Sequence, residues 1–234
     1  MKTQTQPNQS IAILLWILVT IVAWTLYPIN PFSYVRTYAE IPPLLLMYGI
    51  SGALLGFLIG VGQYWILHVQ GIRTQNWIAI TTASYGIGFL VGLSVNLLIP
   101  VLVWRWHGES LLPLTQPSNV TVTPYMSSIV LGGGVVGVIQ WFAVRRILPL
   151  YDMKMAALGI LGTWLGIGFG VMVGPLPALI ILPAKMTGYP PSAILSTLVR
   201  SGTGLVSGTI TALILFTLIR RAQRISGLIA SGAV

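Results

Sequence analysis

The chain has 234 residues, 55% of them hydrophobic and only 6% charged, with a mean hydropathy of +0.88, whereas a soluble domain carries about 25% charged residues. Its net charge of +9 comes from single or paired basic residues between apolar runs, which is how topology signals are placed; a nucleic-acid arm or stripe would cluster them, so no nucleic-acid partner is expected. Cysteine is absent, and three acids (Glu40, Glu109, Asp152) with two histidines leave no material for a thiolate site, a dedicated metal site or a pair of catalytic carboxylates.

Several uncharged runs exceed the ~20 residues needed to cross a ~30 Å hydrocarbon core. The expectation is an all-α, polytopic helical membrane protein with about six transmembrane helices in one domain over residues 1–234. The start, MKTQTQPNQS before IAILLWILVTIVAW, imitates a signal peptide, but the apolar run is long and YPINPF follows it where a small-x-small cleavage site would stand. An uncleaved first span over about 11–28 is therefore expected. Span two, about 44–68, follows Pro42-Pro43 and ends at Tyr64, Trp65 and His68, aromatic and amphipathic rings suited to a membrane interface. The short turn VQGIRTQN leads to span three, about 77–104, so spans two and three form a tight antiparallel hairpin.

The loop 105–123 is the longest polar piece, and span four follows at about 124–144, stopping at Arg145-Arg146. Span five covers about 155–174. Residues 175–192 carry Pro175, Pro177, Pro183, Pro190 and Pro191, which no regular helix accommodates, so an interfacial or re-entrant segment is expected there. Span six takes about 193–219, and the basic residues Arg220, Arg221 and Arg224 follow as a tail. With six spans, Lys2, Arg73, Arg145, Arg146, Lys154, Arg220, Arg221 and Arg224 share one side, against Arg36, Arg105 and Lys185 on the other; this puts both termini in the cytoplasm.

A packing pattern recurs along these spans. Gly56, Gly60 and Gln63 stand at i, i+4 and i+7, as do Gly133, Gly137 and Gln140, so each trio shares one helix face. Gly52 extends the first trio, and GIGF at 86–89 is echoed at 166–169. Spans two–three and four–five thus read as two copies of one hairpin in the same orientation, parallel repeats about an axis along the membrane normal. Gly204 and Gly208 keep the spacing in span six with Thr211 in the glutamine's place, a third start that lacks a partner helix.

The trio Gly133, Gly137, Gln140 with Trp141 and Arg145 resembles a family of multi-pass membrane proteins of unknown function, associated with cyanobacteria and other photosynthetic or filamentous bacteria, whose hairpins carry Gly-x-x-x-Gly-x-x-Gln-Trp. The likeness covers about 50–175; the first copy departs from it, with Tyr64 in the tryptophan position and His68 where a basic residue would be. The resemblance implies a fold and a lineage, hence a bacterial plasma or thylakoid membrane, and no activity.

Glycines 52, 56, 60, 133, 137, 204 and 208 are expected to let helix backbones approach, since lipid supplies no hydrophobic drive between helices. Gln63 and Gln140 must find partners: a bond between the two hairpins is one reading, and contact with pigment, lipid or substrate the other. Asn96 reads in the same way. His68 and His107, on opposite sides, are the imidazoles available to a chlorophyll magnesium, or else interfacial histidines bonded to water or headgroups. Arg200 lies about two turns deep if span six starts near 193, where it needs a carbonyl or acid, and snorkels to the outer surface if the span starts at 201.

Nothing is placed for enzymatic work. The leading expectation is a non-enzymatic accessory or assembly subunit docking to a larger membrane complex, photosynthetic if the lineage holds. Lipid, other integral membrane subunits or copies of itself would be its partners, and chlorophyll or carotenoid the pigment it could carry. The alternative is a small-solute transporter or channel in which Gln63 and Gln140 line a polar path.

Overall fold

The computed structural model describes residues 9–27, 41–72, 74, 76–107, 122–147, 153–173 and 193–230. Among them are six helices and no strand: α1 (Gln9–Thr25), α2 (Ile41–Val69), α3 (Trp77–His107), α4 (Val122–Ile147), α5 (Met153–Val173) and α6 (Ala193–Ala230). Their ends match the expected spans to within three residues, with one exception. The helix α6 runs on to Ala230, so Arg220, Arg221 and Arg224 belong to it instead of forming a separate tail. Residues 28–40, 108–121 and 174–192, including the Pro-rich stretch read as interfacial, lie outside the described residues.

Local chemistry sets the best-defined boundaries. Pro42 and Pro43 occupy the first turn of α2, where a missing N–H costs no intrahelical bond. The helix closes at Gly71, whose φ of 74° suits a residue without a Cβ. There the Gly71 N–H donates to the His68 carbonyl and the Ile72 N–H to that of Leu67, at 3.0 and 2.9 Å, a paired cap that uses two otherwise orphaned carbonyls. Asn76, with φ 62°, then accepts from the Ile80 N–H at 2.9 Å and starts α3. The predicted tight hairpin follows from these two ends.

Three stretches, Pro42–Val69, Trp77–Val95 and Thr197–Arg221, are long and apolar enough to cross a membrane, while Gln9–Thr25, Ser128–Val144 and Gly159–Gly170 are shorter apolar stretches. Less than half of each long stretch (39%, 39% and 44%) is buried inside the chain, so the remainder of its apolar surface faces outward. On α2 the outward residues run Leu46, Ile50, Leu54, Phe57, Val61 and Trp65, one helical stripe. At 1.5 Å per residue it is ~29 Å long, the thickness of a hydrocarbon core. A stripe of this kind is costly in water and costs nothing against lipid.

Each helix packs antiparallel on its neighbours in the chain, and α6 packs on α1, which closes a ring. Close backbone approach holds the hairpins. A Cβ on Gly56 would stand 2.6 Å from the Thr81 carbonyl oxygen, and one on Gly137 would stand 2.9 Å from that of Ile160. The glycines expected to form seams therefore do so: Gly52, Gly56 and Gly60 against α3, and Gly133 and Gly137 against α5. Gly204 and Gly208 lie against Thr20, Ile17 and Ile21 of α1. The last span was expected to lack a partner helix, and α1, the first helix in the chain, is that partner.

The two GIGF stretches are not equivalent in space. Gly86 faces Gly49 and Ala53 of α2, back into its own hairpin, whereas Gly166 faces Ile210 and Thr211 of α6. Instead, a further seam joins the hairpins, with Gly88 and Gly92 of α3 against Gly132 and Ser128 of α4.

The ring interior has two unlike halves. Toward the C-terminal ends of α1 and α3, Trp24, Tyr27, Phe89 and Tyr85 make a chain of edge-on and tilted ring contacts with centroids 5.7–6.2 Å apart, and Tyr48 is buried with them. Toward the N-terminal ends of those helices, Trp16 meets Phe216 edge-on at 5.9 Å. Between that pair and the aromatic cluster the packing opens.

Candidate functional site

The opening is a cavity of about 50 Å³ on the ring axis, lined from all six helices, with Thr20, Gln63, Trp77, Gln140, Thr163 and Thr211 among its walls. A water needs roughly 10–15 Å³, so the cavity has room for about three to five. The polar wall has a regular construction. In α1, the Trp16 indole N–H donates to the Thr211 hydroxyl oxygen of α6 at 3.3 Å. In α3, the Trp77 indole N–H donates to the Gln63 side-chain oxygen of α2 at 3.2 Å. Each bond ties a tryptophan of one helix to the residue three beyond a seam glycine, Gly208 in α6 and Gly60 in α2.

The corresponding place in α5 is Gly159, which lies against the cavity with Gln140 of α4. There is no indole to donate, and Gln140 has no hydrogen-bond partner among the described residues. The Gln63-to-hairpin bond thus differs from expectation: Gln63 binds inside its own hairpin, and no bond links the two glutamines.

The hydroxyls around the cavity have a common orientation. Thr20 donates to the Trp16 carbonyl at 2.8 Å, Thr163 to that of Gly159 at 3.0 Å, and Thr211 to that of Ser207 at 2.7 Å. A hydroxyl has one proton, and in these three it is already held by the helix four residues back. What they offer the cavity is lone pairs. Gln63, whose oxygen accepts from Trp77, has its NH2 left to donate, and Gln140 retains both functions.

The remaining candidates lie elsewhere. Arg200 stands inside α6, within the long apolar stretch, and donates to the backbone carbonyl of Tyr27 just beyond the end of α1. Helix α6 begins at Ala193, and Arg200 has the carbonyl partner that the deeper of its two readings calls for, three residues inside the apolar stretch that begins at Thr197. The partner is a helix-end carbonyl, which carries partial negative charge. His68 is exposed at the end of α2 and stacks on Tyr64 at 5.9 Å between centroids. The side chains of Asn96 and His107 lie outside the described residues.

Trp16, Trp77, Thr20 and Thr163 did not emerge from the glycine spacing. A signal for them is present: WILVT at 16–20, WIAIT at 77–81 and GILGT at 159–163 share an Ile and a Thr at fixed places and differ at the first. These are the segments that meet the seam glycines, Ile17 and Thr20 facing Gly208, Ile78 and Thr81 facing Gly60, and Ile160 and Thr163 facing Gly137. Compared with known proteins, the chain matches no family model, no curated protein and no solved structure.

Proposed function

We propose that the chain is an integral membrane protein of six spans that binds a small polar solute in its axial cavity and lets it cross, the transporter reading of the two. The observation that carries it is the cavity itself, with polar groups converging from every helix of a ring whose outer faces are apolar. In this reading the helices are three copies of one hairpin about an axis along the membrane normal: α2–α3, α4–α5, and α6–α1 built from the two ends of the chain. The three Ile-x-x-Thr segments against three seam glycines support it. The cavity walls lie on the parts of the helices nearer the ends that carry most of the basic residues, the cytoplasmic side by charge. The aromatic cluster closes the other half, so passage requires Trp24, Tyr27 and Phe89 to move apart.

Proteoliposomes test this by stopped-flow light scattering under gradients of acetamide, urea and glycerol. Wild-type protein should speed re-swelling over empty liposomes for at least one solute, and Gln63→Leu with Gln140→Leu should abolish the gain. Rates equal to those of empty liposomes for all three would end the transport reading.

The docking-subunit reading draws on the outward aromatic residues Phe57, Trp65 and Phe142, which lipid covers equally well. In that reading the resemblance to the cyanobacterial family would imply a plasma or thylakoid membrane, and among the described residues His68 is an exposed imidazole that a pigment would meet. Purification in mild detergent with mass spectrometry and an absorbance spectrum of the eluate separates the two: a defined companion complex or bound chlorophyll or carotenoid would favour docking, and a colourless single species transport.

A further inference from the structure

We infer that the cavity is a site for a small neutral primary amide or urea, paired with the Gln140 side chain in the place that an indole fills in the other two hairpins. This rests on reading the cavity as a solute site and adds the class of solute and the side chain that selects it.

Two of three like positions carry an internal ligand: Trp77 for Gln63 and Trp16 for Thr211. At the third, Gly159 replaces the tryptophan, and Gln140 faces the cavity with an amide oxygen and an NH2 that no described residue engages. The structure shows what kind of group satisfies such a position, since a planar N–H donor does so at both others. Around it, Thr20, Thr163 and Thr211 present lone pairs, because their protons go to helix carbonyls. The complement to those acceptors is a molecule with several N–H groups, and the complement to the free NH2 of Gln63 is a carbonyl oxygen. A primary amide and urea have both, and either can form two parallel bonds with the amide of Gln140.

Charge and size narrow the class. Among the described residues no carboxylate lines the cavity, so a cation would be buried there without a counter-charge from them. Room for about three to five waters in about 50 Å³ suits a molecule of a few non-hydrogen atoms and is too small for a pigment or a lipid tail.

Saturation-transfer NMR on the full-length chain in detergent micelles tests this, with acetamide and acetone as probes. The two have nearly the same shape and a methyl signal each, but acetone has no N–H. Above empty micelles, acetamide should receive about fivefold more saturation than acetone, the factor that one net hydrogen bond supplies. Gln140→Leu and Gly159→Trp should each bring acetamide down to the acetone level. If Gly159→Trp does not fold, by circular dichroism and gel filtration, Gln140→Leu and Gly159→Leu carry the same test. Equal saturation of acetone and acetamide would overturn the amide class and leave a solute site standing. Acetamide binding that survives both Gln140→Leu and the filled Gly159 would overturn its place in the cavity. No transfer to either probe, nor to urea or glycerol, would remove the solute reading and this inference with it.

Discussion

The α2–α3 and α4–α5 hairpins are built alike where they hold together and differently where they face the axis. In both, a seam glycine sits on the backbone of the returning helix, with an isoleucine and a threonine beneath it, Ile78 and Thr81 in one and Ile160 and Thr163 in the other. In the first, Trp77 fills the space beyond the threonine turn and bonds Gln63. In the second, Gly159 leaves that space to the cavity and Gln140 to whatever enters it. The seam and the polar position are therefore separable: one keeps the helices together, and the other can be occupied by the chain or left open.

The largest effect expected from this comparison concerns the seams. A Cβ on Gly56 meets the Thr81 carbonyl oxygen at 2.6 Å and the Tyr85 Cβ at 2.8 Å, neither of which can turn aside. On Gly133 it meets only side-chain atoms, the nearest those of Ile167 at 3.1 Å. Gly56→Ala should cost about 3 kcal/mol and Gly133→Ala about 1 kcal/mol, the two ends of the range for overpacking. Reversible unfolding in mixed micelles, followed by tryptophan fluorescence, reads the difference; equal losses would show that the hairpins do not depend on backbone approach in the way described.

The polar position should give a smaller and asymmetric effect. Gln63→Leu strands the buried Trp77 N–H and should cost about 1–3 kcal/mol. Gln140→Leu removes a side chain with no described partner and should change stability by less than about 0.5 kcal/mol, since only a lost interaction carries a cost. A matching loss for Gln140→Leu would mean that it is bonded within the protein, and the comparison between the hairpins would collapse. Between the two lies Trp16→Phe, which loses the bond to Thr211, about 0.6 kcal/mol by the average for interhelical bonds in a membrane protein, together with part of a buried ring. A loss above that of Gln63→Leu would place the main polar tie in the α6–α1 pair instead.

Much of the scaffold was legible because it rests on runs of adjacent residues. Hydropathy and proline place each helix, and a glycine at every fourth position marks a face that a backbone can approach, as Gly52, Gly56 and Gly60 do on α3. The second set of close contacts, Gly88 and Gly92 against Gly132 and Ser128, is as regular in sequence, but GIGF drew attention to Gly86 and Gly166, which face different neighbours. Identical strings at two sites carry no information about helix rotation. Arg200 shows the same limit: its depth depends on where α6 begins, and its partner is a carbonyl contributed by Tyr27 at the far end of the chain.

By itself, then, the sequence determined where the apolar helices lie and that three of them carry stretches long enough to cross a membrane, since this depends on the summed transfer energy of ~20 adjacent residues. The packing of Gly204 and Gly208 on α1, the bond of Gln63 to its own hairpin and the open place beside Gly159 were decided only in three dimensions. Those features depend on closure of the ring: each helix must turn a definite face to two neighbours at once, and the last must meet the first, a condition set by residues nearly two hundred positions apart, as Trp16 and Thr211 are at a separation of 195.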